Sequence, residues 1–124
     1  MYLSGAEDIL RSVKALFEKY PAGAGYHLKV LQRSLDQKAP TIVLASGEDT
    51  AIEGKIFQAL RTHYIPHATI VFKRWGDELL NQVVPTLAEK VAIEGQATLY
   101  ICRQDGCLAP ILDEEAMVAA LLSL

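Results

Sequence analysis

The sequence predicts a small three-layer α/β domain, in which a three-stranded parallel sheet of strand order 2-1-3 follows an N-terminal αα-hairpin. Three observations support this fold class. Apolar residues recur at helical spacing in residues 3–20 and again up to residue 37. Residues 41–45, 68–73 and 98–103 are rich in apolar and β-branched side chains, as buried strands are. Helical patterns alternate with these strands, which is typical of parallel neighbours joined by right-handed crossovers.

Length and composition indicate one domain, with a helical hairpin at residues 1–39 and a βαβαβα unit at residues 40–124. The chain has 124 residues, enough to bury a core without added cross-links. Hydrophobic residues make up 51% of the chain and charged residues 22%, which is typical of a globular protein.

The hairpin is predicted from two amphipathic stretches. Ile9 and Val13 belong to one apolar face, and Leu28 and Leu31 belong to a second. Pro21 begins the short break between them. Two helices joined by so short a connection are expected to lie antiparallel.

The order of the strands follows from their apolar content. Residues 41–45 are the most uniformly apolar, so this strand is expected at the centre of the sheet. The helix after it ends before Pro66, because a residue that precedes proline disfavours helical angles. A shorter helix is expected within residues 76–84, and the last helix begins after Asp113, its N-cap. Pro85 is expected to start a new turn, and no further path is predicted up to residue 95.

A ligand crevice is predicted between the first and third strands. The carboxyl ends of three parallel strands meet at one edge, and the order 2-1-3 creates a switch point there. Ser46, Gly47 and Asp49 follow the first strand, and Arg103 ends the third. The same loop also has the composition of a helix cap. The residues from Lys73 to Trp75 end the second strand at this edge.

Cys102 and Cys107 form the redox candidate of the chain. Their spacing is not the Cys-x-x-Cys of dithiol oxidoreductases, and three states are considered: reduced structural thiols, a reversible disulfide and half of a zinc site. Zinc would need further ligands such as His63 and His67, which this fold places at the opposite edge of the sheet, so no metal is predicted. Reduced thiols are favoured, since a cytoplasmic location is expected.

Charge and motifs limit the partners. The net charge of −3 gives no broad basic surface, so neither a nucleic acid nor a membrane is predicted as a partner. The N-terminal residues have neither the basic flank nor the apolar run of a signal peptide, which predicts a cytoplasmic protein. No phosphate-binding or dinucleotide-binding glycine motif is present, and no cofactor or catalytic residue is predicted.

One stretch resembles a known family. Residues 98–103 read Thr-Leu-Tyr-Ile-Cys-Arg, and Cys107, Pro110 and Asp113 follow them. The Tyr-x-Cys-x4-Cys-x2-Pro spacing resembles the closing segment of the large thioredoxin-domain-containing proteins of the YyaL and spermatogenesis-associated type. The resemblance extends upstream through residues 64–66 and the strand at 41–45. This chain departs from the family at residues 111–112, where Val-Thr is commoner.

The resemblance implies a C-terminal part of a larger protein, in which a thioredoxin-like domain and a helical toroid precede this segment. The first two helices would then be the end of the toroid, and the thioredoxin active-site cysteines would lie outside this chain. The favoured function is a non-catalytic module that packs on the helical toroid of its parent protein or on copies of itself, because the hairpin helices carry more apolar surface than a three-stranded sheet would cover. The alternatives are a thiol redox or metal role at Cys102 and Cys107, and small-molecule binding at the predicted crevice.

Overall fold

The computed structural model describes residues 2–124, and their side chains from residue 4 onward. The chain divides into two compact units, Met1–Gln37 and Lys38–Leu124. Their boundary lies two residues before the predicted end of the helical hairpin.

The first unit is helical. It contains helices α1 (Tyr2–Ser12), α2 (Lys14–Lys19) and α3 (Gly25–Leu35), with a 3₁₀ turn at Pro21–Ala24. The first predicted helix is interrupted at Val13, where the Ser12 hydroxyl donates to the Ile9 carbonyl at 2.7 Å and competes with the helical ladder. The helical character predicted for this region is confirmed.

The second unit is built on a four-stranded mixed sheet of order β2-β1-β3-β4. Its strands are β1 (Thr41–Ala45), β2 (Thr69–Lys73), β3 (Thr98–Arg103) and β4 (Gly106–Cys107). β2 runs parallel to β1, whereas β3 runs antiparallel to β1 and β4 antiparallel to β3. The positions and the order of the three predicted strands are confirmed, but the prediction of an all-parallel sheet is wrong.

The direction of β3 follows from the segment that precedes it. After helix α5 (Leu79–Val83) and the 3₁₀ turn Pro85–Leu87, residues 85–90 line a cavity beside Thr41, at the amino end of β1. The chain then returns to the carboxyl end of β1, where the Glu48 amide donates to the Gly95 carbonyl at 2.9 Å. β3 therefore starts at the end of the sheet where β1 finishes, and only antiparallel pairing is open to it.

Each face of the sheet carries its own core. The larger core lies between the sheet and helices α4 (Ala51–Thr62) and α6 (Glu114–Leu122), and its most buried members are Ile42, Leu44, Ile56, Leu99, Ile101, Met117 and Leu121. The smaller core lies on the opposite face and consists of Val43, Ala45, Leu87 and Tyr100. The chain between β2 and β3, residues 74–97, has only the short helix α5 and the 3₁₀ turn as helical structure, so the second face has a thinner cover.

Two polar contacts fix the helices of the larger core. The Asp113 carboxylate accepts a hydrogen bond from the Ala116 amide at 2.9 Å, which confirms the predicted N-cap of α6. An ion pair between Lys55 and Glu114 joins α4 to the start of α6. Among the described residues, no helix has the length and apolar character needed to cross a membrane.

Candidate functional site

The predicted crevice does not form, because its parts lie at opposite ends of the sheet. Ser46 and Gly47 follow the carboxyl end of β1, where β3 begins. Arg103 ends β3 near the amino end of β1, and its Nε donates to the Lys38 carbonyl at 3.2 Å. The prediction that Arg103 faces the Ser46 loop is wrong, since it required a parallel third strand.

The space beside Gly47 is filled by backbone. A Cβ atom at this position would lie 2.6 Å from the Ala97 amide nitrogen and would also contact the Gly95 carbonyl oxygen. Asp49 accepts a hydrogen bond from the Ala51 amide at 2.9 Å, at the start of α4. The loop therefore packs against residues 95–97. The N-cap of α4 is Thr50, which makes no side-chain capping bond, and Asp49 supports the start of the helix from one residue before it.

The two cysteines form a disulfide across the β3–β4 hairpin. Cys102 and Cys107 are direct cross-strand partners, with their Cα atoms 3.9 Å apart. Gly106, with φ of 141°, adopts a backbone conformation that other residues rarely reach, and it follows the two-residue turn. The expectation of two reduced thiols is wrong in this structure, because the tight hairpin brings both sulfur atoms together.

The antiparallel β3 also changes the edge of the sheet at which the candidate metal ligands Cys102 and Cys107 lie. It places the disulfide near the amino ends of β1 and β2, the edge reached by the loop that holds His63 and His67, whereas the sequence predicted the opposite edge. The sulfur atoms are bonded to each other. Between residues 2 and 124, no group of three or more His, Cys, Asp or Glu side chains is arranged to hold a metal ion.

A cavity of about 400 Å³ lies at the carboxyl ends of β1 and β2. Lys73, the last residue of β2, is only 5% exposed, and its ammonium group donates to the Leu87 carbonyl at 2.8 Å. The backbone amide of Trp75 donates to the Ser46 hydroxyl at 2.9 Å, which fixes the end of the strand against the β1 loop. Of the residues predicted for the crevice, Ser46 is the one that lines this cavity.

Two polar groups of this cavity are unusual. Burial lowers the pKa of Lys73, and the nearby Asp77 carboxylate partly opposes that shift. The Oδ1 atom of Asn81 is buried and has no hydrogen-bond partner among the described residues. Neither feature was predicted from the sequence. A lysine at the end of an apolar strand was a signal for the first, and no local pattern indicates the second.

The lowered pKa of Lys73 predicts a pH dependence of stability. The folded chain binds this proton less readily than the unfolded chain, so the free energy of unfolding rises with pH from the lowered pKa up to the ordinary value of 10.5. A Lys73→Met variant lacks this proton. Urea titrations of both proteins across that window should show the stability difference shifting in favour of the native sequence, and a constant difference would contradict the prediction.

Comparisons with models of protein families, with curated proteins and with solved structures found no match for this chain.

Proposed function

We propose that this chain is a non-catalytic module of a larger protein, and that the helices of Met1–Gln37 pack against the helical body of that protein. The observation that carries the proposal is the exposure of large apolar side chains in this unit. Tyr26 is 77% exposed, Leu35 70% and Ile9 62%. Ala24 is the one buried residue among those described in this unit. Other exposed members of the same set are Leu16, Tyr20 and Val30.

Such exposure indicates an interface. Short amphipathic helices gain most of their stability by burying an apolar face, and here the described apolar residues of α1 to α3 are half-buried at most. Monomeric proteins rarely expose contiguous apolar patches larger than a few hundred Å². A helical partner suits helices, because their side-chain ridges fit into the grooves of another helix. The resemblance of residues 98–113 to the end of a toroid-containing family supports the same partner.

The proposal predicts self-association of the isolated chain. In a solution of the pure protein, only another copy of the chain can cover the exposed apolar side chains of its helices. Sedimentation equilibrium should give an average mass above that of one chain, rising with concentration. An Ile9→Lys, Leu16→Lys double variant should shift the mass toward the monomer, since it places two charges within the apolar face.

The matched control is the Ser4→Lys, Ala15→Lys double variant, which adds the same charges at exposed positions of α1 and α2 that hold small side chains and lie away from the apolar face of Ile9 and Val13. It should keep the mass of the native sequence. A native chain that stays monomeric at every concentration, or equal effects of the two double variants, would count against the proposal.

A second candidate function, thiol–disulfide exchange, is favoured by the accessibility of the cysteine pair. Cys107 is exposed and Cys102 is half-buried. Both line a cavity of about 680 Å³ together with Thr41 and residues 85–90. This cavity could admit the thiol group of a reductant to the sulfur atoms.

The exchange would use an external dithiol. One thiolate of the reductant attacks the sulfur of Cys107, forms a mixed disulfide and releases Cys102 as a thiolate. The second thiol of the reductant, as its thiolate, then displaces Cys107. Two electrons pass to this chain, both of its sulfur atoms take up protons, and the reductant leaves as a disulfide.

This candidate predicts reduction of the disulfide in the folded protein. Alkylation of free thiols, followed by mass measurement, should show that a small dithiol reduces the pair without denaturant. A Cys102→Ser, Cys107→Ser double variant should remain folded and lose about 2 kcal/mol of stability, the value expected for closing so short a loop. A pair that resists the dithiol until the chain is unfolded would mark the disulfide as purely structural.

A further inference from the structure

We propose that the cavity at the carboxyl ends of β1 and β2 binds a neutral planar heterocycle that carries a carbonyl acceptor beside an N–H donor, as a pyrimidine base does. The site is distinct from the apolar helices and from the disulfide. It is assembled from the ends of β1 and β2, the loop of residues 74–78, Asn81 of α5 and residues 91–92. Its volume of about 400 Å³ suits a small ring compound, since ligand sites in proteins span roughly 300–1,000 Å³.

Lys73 supplies the donor for the carbonyl group. Its ammonium group has three N–H donors, and within residues 2–124 the structure describes one hydrogen bond from it, to the Leu87 carbonyl. Lys73 is buried, so water solvates its remaining N–H donors poorly. A ligand oxygen that reaches the ammonium group would accept a hydrogen bond that water does not supply. A carbonyl group meets this need without adding a negative charge.

Asn81 supplies the acceptor for the N–H group. This residue lines the cavity, and its Oδ1 atom is shielded from solvent without any partner in the described part of the chain. Buried polar groups are normally hydrogen-bonded, so an acceptor without a partner, in a residue that lines a cavity, can pair with a ligand donor once the amide turns toward the cavity. The terminal torsion of asparagine is soft, and a small rotation can turn the amide toward a ligand.

The remaining lining favours a flat and uncharged ligand. Trp75 is 52% exposed at the rim, and its indole ring offers a surface on which a planar ring can stack. Two cationic residues, Lys73 and Arg74, are balanced by two acidic ones, Asp77 and Glu78. The formal charges of these lining residues sum to zero, which favours a neutral ligand over a strongly charged one.

The sequence offers a built-in reporter for this site, because Trp75 is the single tryptophan of the chain. Titration of the full chain with uracil should give a saturable change in tryptophan fluorescence. Benzoate, a planar anion without an N–H donor, should give none.

Two variants test the assigned groups. Asn81→Leu should weaken uracil binding about tenfold, the effect of losing one hydrogen bond, without loss of stability in urea, because it removes an acceptor that has no partner. Gln82→Leu, at an exposed neighbouring position of α5, is the matched control and should bind like the native sequence. Lys73→Met provides a second variant and should also weaken binding.

The proposal fails if uracil gives no saturable change, if benzoate binds equally well, or if Asn81→Leu binds uracil with unchanged affinity. The uracil titration is independent of self-association. The Ile9→Lys, Leu16→Lys double variant, which should be monomeric, should bind uracil like the native chain.

Discussion

Replacing Leu99 with alanine is expected to lower the free energy of unfolding by about 2–5 kcal/mol, the range for truncating a fully buried leucine. Leu99 lies on β3, directly opposite Leu44 of β1, and both belong to the larger core with Met117 of α6. Its side chain is 0% exposed. The Leu99 amide and carbonyl also bond to Ile111, at 2.8 and 3.0 Å, so the neighbouring chain is held in place and cannot easily close the cavity. Urea denaturation measures this loss.

Leu108→Ala is the control for this truncation. Leu108 follows the same hairpin and is 52% exposed, so the same change in chemistry should alter stability by less than about 0.5 kcal/mol. Comparable losses in the two variants would mean that β3 does not hold Leu99 in the core.

Replacing Gly47 with alanine is expected to cost about 2–3 kcal/mol, in the upper part of the range for overpacking. The new Cβ would lie 2.6 Å from the Ala97 amide nitrogen, and it would meet the Gly95 carbonyl oxygen as well. Both are backbone atoms, so no flexible side chain can move aside. Separation of the β1 loop from residues 95–97 would also weaken the hydrogen bond between Glu48 and Gly95.

Gly54→Ala offers a control of opposite sign. Gly54 lies inside α4, and a Cβ there has no atom outside its own helix within 4 Å. Alanine at this position should stabilise the protein by about 0.5–1 kcal/mol, because glycine weakens a helix interior. A neutral Gly47→Ala variant would contradict the close approach of the two loops.

The strands were predictable because each carries its own signal. Residues 41–45 and 98–103 are apolar and β-branched, and the structure gives them the bounds that the sequence predicted. The direction of β3 had no such signal. It depends on residues 85–97, which lack a periodic pattern and cross the second face of the sheet before β3 begins.

The position of a candidate site residue was predictable only where it depends on the strand next to it in the sequence. Ser46 lies at the predicted edge because it follows β1, whereas Arg103 lies at the other end, since its place depends on the direction of β3. The spacing of Cys102 and Cys107 allowed a disulfide, but the expected reducing compartment outweighed it. The Asn81 Oδ1 atom lacks a hydrogen-bond partner among the described residues because of tertiary packing, and no sequence motif predicts this.

Amide hydrogen exchange of the isolated chain tests the proposed packing role most directly. If α1 to α3 need a partner, their amides should exchange fast in dilute solution and become protected as the concentration rises, whereas the amides of β1 and β3 should be protected throughout. Strong protection of α1 to α3 at concentrations where the chain is monomeric would contradict the proposal that these helices complete their packing on another protein.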